Sequence, residues 1–515
     1  MTIGTGRRKL VLNAAVLTAV SLLLRTAGMS YRVHMTERVG TEGIGLYTLT
    51  QTAFLFAVTL ATAGLSTAVT RVVSEDIGAG RENRRVLPRA LCYAVPLGTL
   101  AGALLFFGAD PIGAHFLADG RTALPLRILA PALPVMSAAA VLKGYFYARR
   151  DAALPAVSDV LEQGVEMAVF FALAGRWAPR GVAWGCAAIV TGTTASELAS
   201  LVFLAAAYRL RRHREAARGE PVLPRLLRIA LPVSGSACLG AGLRTVENTL
   251  IPRGLEAHGA SHARALELYG LVRGMALPLI FYPAAFVSAF ASLLIPELAE
   301  ARAAGRVRSL HGAIRRVIQC ALLLSILVAG LLAAFPSELA RLVYRNEEVG
   351  RVLLILAPLT PFMYLDSIVD GMLKGLDEQS AVLRYNLFDS AVRVAMVRFL
   401  IPYSGFFGFM LVMYVSNITN PFLSLRRLWR VTGIRPSRAE WVYKPVFCAA
   451  AAAVGGRLLA AAGLARSAAG LVACIAVFCV LYLSLLFATA ALGEGDLRFF
   501  RRFFAGVRAK PYKTS

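Results

Sequence analysis

The chain has 515 residues, of which 57% are apolar and only 17% charged. Soluble domains sit near 45–50% apolar and about 25% charged, so this composition cannot clothe soluble cores of this size and is far too apolar for a disordered chain. The formal net charge of +25 invites a nucleic-acid reading, but no recognition motif or aromatic-interleaved basic face accompanies it, and no nucleic-acid partner is expected.

A membrane helix needs roughly 20 mostly apolar residues. Fourteen such runs follow one another, called spans 1 to 14, at 10–31, 45–71, 87–108, 123–147, 157–174, 182–207, 226–251, 266–294, 314–335, 351–373, 382–401, 405–425, 445–463 and 468–492. The expected fold class is therefore an all-α polytopic membrane protein. With the N-terminus in the cytoplasm, 36 of the 55 Lys and Arg fall in the eight cytoplasmic segments and 10 in the seven outside loops. That bias is the positive-inside signature, which puts both termini in the cytoplasm and the basic loops against anionic phospholipids. Met1–Lys9 opens like a signal peptide, but Arg25 interrupts the apolar run and no small-residue cleavage site follows, so an uncleaved first helix is expected. The seven cysteines lie in or beside spans, without a CxxC pair, which argues against a disulfide framework.

Residues 126–144 (LRILAPALPVMSAAAVLKG) match 353–371 (LLILAPLTPFMYLDSIVDG), including Pro131/Pro358, Pro134/Pro361 and Gly144/Gly371. Leu24-Arg25-Thr26 is echoed by Leu243-Arg244-Thr245, and Glu75 by Glu297. Spans 1–6 thus repeat as spans 7–12, giving an N-lobe at 1–208, a C-lobe at 209–430 and an appendage of spans 13–14 with a basic tail at 431–515. An even number of spans per copy makes the repeats parallel, which predicts a two-lobe V with a substrate cleft and alternating access. Pro131, Pro134, Pro358 and Pro361 each remove a helix hydrogen bond and are candidate hinges.

Ionisable groups inside spans are costly and normally face a partner or a wet cavity. Arg25 in span 1 and Arg273 in span 8 have no acidic residue one turn away in their own helices. Their forked donors suit phosphate oxygens, so both are candidate ligands for a diphosphate, against pairing with Glu162, Glu166 or Glu197. Arg244 has Glu247 three residues on, and a local ion pair and a ligand role stay open. Asp389 and Arg393 are spaced for an intrahelical salt bridge. Asp366 and Asp370 are like-charged neighbours on one face, where H⁺ or Na⁺ coupling is expected, with Asp389 as a third candidate. No P-loop, HExxH or GxSxG motif occurs, so neither an ATPase nor a hydrolase is indicated; the chain is not expected to be an enzyme or to bind a metal or cofactor. The six histidines, His258 and His262 among them, read as solvated loop residues. The stretch 497–504 suits an interfacial helix on anionic lipid or a basic tail.

Four segments carry a family resemblance: LLLRTAGMSYRVHMTERVGTEGIGLYTLTQT (22–52), AGLSTAVTRVVSE (63–75), LKGYFYARRD (142–151) and YGLVRGMALPLIFYPAAFVSAFASLLIPELAE (269–300). In these the chain resembles the multidrug/oligosaccharidyl-lipid/polysaccharide exporter superfamily, in its stage V sporulation protein B and lipid II flippase branches. The resemblance implies translocation of an undecaprenyl-diphosphate-linked saccharide, a cell-wall or spore-cortex precursor, with Arg25 and Arg273 at the diphosphate. It also implies a lipid-tail groove along spans 13–14. The chain departs from the lipid II flippase pattern at Val272, where an acidic residue is frequent, and at Val58 and Thr59, where an arginine pair stands. Those departures suit the sporulation branch or another lipid-linked sugar. The rival expectations are a multidrug/cation antiporter and a non-transporting scaffold for cell-wall synthases.

Overall fold

The computed structural model describes residues 3–62, 64–79, 86–210, 222–284, 307–434 and 439–489. The expected span-8 residues 285–294, Glu297 and the 497–504 stretch lie outside the described residues. Every regular element among the described residues is helical, with no strand. Nine of these helices are long and apolar enough to cross a membrane, or ten if one bent pair is a single span. The protein is thus a multi-pass helical membrane protein.

Two of the expected loops are helical. Span 1 and the first part of span 2 run into one helix, Ile3–Thr62, interrupted at Gly40 with φ 78°; span 2 then breaks at Gly64, φ 73°, and ends in the separate helix Leu65–Gly78. Spans 11 and 12 likewise share Gln379–Thr432, interrupted at Gly405 with φ 56°. The positive φ is open to glycine at no steric cost, so one residue redirects the chain where the sequence suggested a loop. Span 5 forms Ala153–Trp177 and span 6 forms Val182–Leu210. Ala153–Trp177 is not among the nine apolar helices; it carries Asp159, Glu162 and Glu166.

The duplicated prolines mark duplicated breaks. Span 4 splits into Ala123–Leu129 and Ala132–Ala148, bent by 43°. Span 10 splits at the 3₁₀ turn Ala357–Leu359, between Glu347–Leu356 and Thr360–Gly375. Pro131 and Pro358 occupy the aligned positions, and each lacks the N–H that would continue the ladder.

The described chain forms two compact units that do not follow the repeat boundary. One comprises Ala19–Gly274 with Leu387–Val412; the other comprises Met275–Asn386 and Met413–Ser515 with the first residues of the chain. In the first, Leu65, Val69, Val72, Val86, Leu142, Phe146, Leu204 and Leu226 build a buried core. Here too the start of span 2 meets span 8 backbone to backbone. A Cβ on Gly45 would stand 2.1 Å from the Leu266 carbonyl oxygen, and one on Gly270 would stand 2.8 Å from the Gly45 nitrogen. Small residues permit such approaches, which drive helix association in lipid. In the second unit, spans 13 and 14 pack on span 9: Phe335 meets Phe478 edge-on at 6.4 Å, and Tyr482 donates to the Leu323 carbonyl at 3.0 Å.

Because backbone rather than a flexible side chain blocks that space, Gly45→Leu should lower stability by about 1–3 kcal/mol or prevent folding. Gly78, with nothing near its missing Cβ, should accept alanine. Monodisperse yield and thermal midpoint in detergent check both; equal behaviour of the two variants would contradict the packing.

Candidate functional site

All the candidate arginines lie in the first compact unit. Arg25 stands on the helix Ile3–Thr62, exposed, and makes no ion pair or side-chain hydrogen bond among the described residues. Seven residues, two helical turns, place Arg32 on the same face. Arg32 donates from Nη1 to the Gly274 carbonyl at 3.3 Å and makes no ion pair among the described residues. The apolar runs at 10–31 and 45–71 leave Arg32 in the segment between them, and its seven-residue spacing from Arg25 is the sequence signal that joins the two.

Arg273 sits in the π-helical turn Gly270–Ala276, between His262–Tyr269 and Leu277–Phe281. Such bulges widen a helix by one residue and recur at functional sites. The expectation that Arg273 is unneutralised is corrected. Its Nη2 donates to Glu247 Oε1 at 2.6 Å, while Glu247 Oε2 lies 3.4 Å from Arg393 Nε, which lies 3.2 Å from Asp389 Oδ2. Two guanidinium groups and two carboxylates thus form a chain across spans 7, 8 and 11. The side chain of Glu247 is 2% exposed and that of Asp389 is 7% exposed. Burying an anion this deeply demands cations, which is why both arginines converge on Glu247. The Asp389–Arg393 bridge anticipated from spacing is present. Glu247 is thereby taken from Arg244, whose exposed side chain makes no ion pair among the described residues, so the local Arg244–Glu247 alternative falls away. Two span-5 acids serve a different cation: Lys143 Nζ donates to Asp159 at 2.8 Å and to Glu162 at 3.4 Å; the third, Glu166, accepts from Thr193 Oγ1 at 3.1 Å and interacts electrostatically with Arg32.

Asp366 and Asp370 lie in the second compact unit and are separated from Asp389 in role. Asn420 Nδ2 donates to Asp366 at 2.9 Å; Asn386 Nδ2 and Ser424 Oγ donate to Asp370 at 2.9 and 3.0 Å. Asn420 Oδ1 is buried without a donor. The trio of coupling candidates is therefore a pair plus amides, with Asp389 engaged by Arg393.

A further ionic cluster corrects the reading of His262 as a solvated loop residue. His262 opens the helix His262–Tyr269; its Nδ1 lies 2.6 Å from Glu256 Oε1 and its Nε2 lies 2.8 Å from Asp119 Oδ2. Arg121 bridges Asp119 at 2.9 Å and Glu42 at 2.7 Å. His258 instead approaches the Pro402 carbonyl at 3.3 Å. Burial lowers the His262 pKa, but hydrogen bonds to Asp119 and Glu256 outweigh it and hold it above the ordinary value. Burial raises Asp119, but Arg121 and His262 hold it below the ordinary range.

Comparisons with known proteins agree with this architecture. The family described as "Polysaccharide biosynthesis protein" matches residues 10–253, and the family MatE matches residues 264–400. Over these two segments the chain is similar to proteins of the multidrug/oligosaccharidyl-lipid/polysaccharide exporter superfamily. Stage V sporulation protein B of Bacillus subtilis (strain 168) is 24% identical over 392 residues, 74% of this chain and 76% of that protein. Sporulation protein YkvU of the same organism is 22% identical over 372 residues, 70% and 82% of the two chains. The lipid II flippase MurJ in an inward closed conformation superposes with a TM-score of 0.70 at 11% identity, covering 95% of this chain and 100% of that one. An inward-facing multidrug resistance MATE transporter of the superfamily superposes with a TM-score of 0.60 at 16% identity, covering 82% and 100%. These likenesses support the polytopic all-helical fold.

The His262 cluster makes a pH prediction with a definite sign. A raised histidine stabilises fully below its unfolded value of about 6.5 and loses that contribution as pH rises through the folded value; a depressed aspartate stabilises above about 3.9 and loses it as pH falls. The thermal midpoint of the wild type should exceed that of His262→Gln most between about pH 4 and 6.5, and the gap should close above neutrality. A gap independent of pH would contradict the clamp.

Proposed function

We propose that the chain flips an undecaprenyl-diphosphate-linked saccharide, lipid II or a related spore-cortex precursor, across the cytoplasmic membrane with both termini in the cytoplasm. The observation that carries this is the helix face bearing Arg25 and Arg32, two guanidinium groups with no carboxylate at ion-pair distance among the described residues, Arg32 meeting Glu166 only through longer-range electrostatics. Such a face inside a membrane protein selects an anion, and the planar forks match phosphate oxygens. Two similar proteins, Stage V sporulation protein B and a lipid II flippase, support the choice of anion.

Arg273 enters differently from Arg25. Glu247 already holds it, and Arg393 stands ready on the other carboxylate oxygen. An arriving diphosphate draws Arg273 away while Glu247 stays neutralised by Arg393, so the substrate exchanges one ionic partner for another instead of stripping a buried anion bare. Arg244 supplies further positive charge. The breaks at Pro131, Pro134, Pro358 and Pro361 serve as hinges for alternating access, and the prenyl tail stays in lipid along spans 13–14. Flipping breaks no covalent bond, so the reading needs no catalytic constellation. Asp366 and Asp370, beside the donor-free Asn420 oxygen, take H⁺ or Na⁺ as the coupling ion. Cell-wall synthases that supply or consume the lipid-linked sugar are the expected protein partners.

The MatE match and the aspartate–asparagine cluster also favour a cation-coupled drug antiporter. Proteoliposomes loaded with a lipid-linked saccharide or with cationic dyes separate the two. For the flippase, Arg25→Ala should slow headgroup exposure on the far side about 10- to 100-fold, the scale of one or two charged hydrogen bonds. Arg273→Ala should do likewise, and Asp370→Asn should remove ion dependence. Wild-type flipping by Arg25→Ala and Arg273→Ala, each correctly inserted, would refute the proposal; dye efflux without flipping would establish the antiporter.

A further inference from the structure

The 36-residue helix Val222–Ala257 carries an ionic contact near each end. Arg225 and Glu256 are separated by about 46 Å of helix, more than the roughly 30 Å of a hydrocarbon core, so the two contacts stand at opposite faces of the membrane. At the first, Arg225 donates to Asp76 at 2.8 Å and to Glu75 at 3.2 Å, where the helix Leu65–Gly78 closes. At the second, His262 stands between Glu256 and Asp119. A guanidinium keeps its charge at every ordinary pH, whereas an imidazole titrates near neutrality. Of the two contacts, the second is therefore the one that answers to pH.

The two sides of this second contact are built separately. Ser261 caps the helix His262–Tyr269 by accepting from the Arg264 nitrogen at 3.3 Å, which sets His262 in its first turn. One turn on, Leu266 is where that helix meets Gly45 backbone to backbone. Asp119 caps the turn Gly120–Thr122, accepting from the Arg121 nitrogen at 2.9 Å, and the Arg121 side chain ties it to Glu42. Asp119 is thus fixed to spans 1–4, while His262 and Glu256 belong to spans 7 and 8. The remaining charged or titratable neighbours have partners of their own. Arg264 pairs with Glu267 at 3.0 Å, Arg253 donates to the Phe116 carbonyl at 2.9 Å and to the His115 carbonyl, and His258 turns to the Pro402 carbonyl.

Both ring nitrogens of His262 lie within hydrogen-bond distance of carboxylate oxygens, at 2.6 and 2.8 Å. An ionised carboxylate only accepts, so both nitrogens must donate, which makes the ring an imidazolium. Neutral imidazole keeps one N–H and turns a lone pair to the other carboxylate. Loss of the proton therefore converts one of the two bonds into a repulsion. We propose that His262 is a proton-operated latch on the outer mouth of the transport cleft: protonated, it fastens spans 7 and 8 to the connection between spans 3 and 4, and deprotonated, it lets that mouth open. Acid on the outer side holds the mouth shut, and alkali frees it. The Arg253 tie does not titrate and sets the background on which the latch acts. The inference rests on the alternating-access reading for the direction of opening and is independent of the substrate.

The test reads the mouth itself, with protons as the only ligand. Nitroxide labels on Ala114→Cys and Ala263→Cys, both at exposed positions, are placed on the full chain in lipid nanodiscs, in a background without the seven native cysteines. Double electron–electron resonance then gives the distance across the latch. At about pH 5.5 one short distance should dominate. By about pH 8.5 the ratio of long to short distances should rise about ten-fold or more, the scale of one charged hydrogen bond. His262→Gln should show the same raised proportion of the long distance at both pH values. His262→Arg keeps a permanent cation with several donors and should stay short at both. A wild-type distance that ignores pH, or a pH response that survives in His262→Gln or in His262→Arg, would overturn the proposal. No lipid-linked saccharide is present, so a failure to flip one would refute the transport reading and leave this result standing.

Discussion

The constraint on which the rest of this structure depends is the cost of a charge away from water. Each Arg, Lys or Asp at the centre of a span costs about 2.5–3.5 kcal/mol on insertion scales, so none persists there without a use. The described residues show two ways of meeting that cost. Arg273, Glu247, Arg393 and Asp389 neutralise one another across three spans, and Lys143 is held by Asp159 and Glu162. Arg25 and Arg32 form no such pair among the described residues. That asymmetry, with Glu166 acting on Arg32 only through longer-range electrostatics, is what the proposed function assigns to an external anion.

The same economy shapes the helices that hold these charges. A π turn carries Arg273, glycines at Gly40 and Gly405 redirect two long helices, and prolines break spans 4 and 10 at aligned positions. Irregular backbone at membrane depth is tolerated only where protein or a water-filled cavity satisfies it. Arg273 sits in such a turn, and the breaks of spans 4 and 10 recur at aligned positions in the two halves. The close Gly45–Gly270 approach shows the complementary device, in which the absence of side chains lets two backbones act as one packed surface.

Much of this was legible in the sequence because it is local. Twenty-residue apolar runs, the paired Ala-Pro breaks and the Asp389–Arg393 spacing all follow from periodicity along one helix. What was not legible depends on partners brought from elsewhere. Nothing near Arg273 in the chain announces Glu247, and His262 looks like a loop residue until Asp119 and Glu256 arrive on either side. Arg32 was misplaced because span 1 extends past its apolar run, into residues too polar for a hydropathy criterion. Asp389, grouped by charge with Asp366 and Asp370, belongs instead with the arginines.

The account stands on Arg25 facing water and an anionic lipid rather than acyl chains. The most direct measurement is the accessibility of Arg25→Cys, in a background without the seven native cysteines, to a membrane-impermeant thiol reagent in vesicles. Labelling that is rapid, and is slowed by a polyprenyl diphosphate but not by the corresponding prenol, is the predicted result. A thiol that the reagent never reaches, or one that both lipids protect equally, would contradict it.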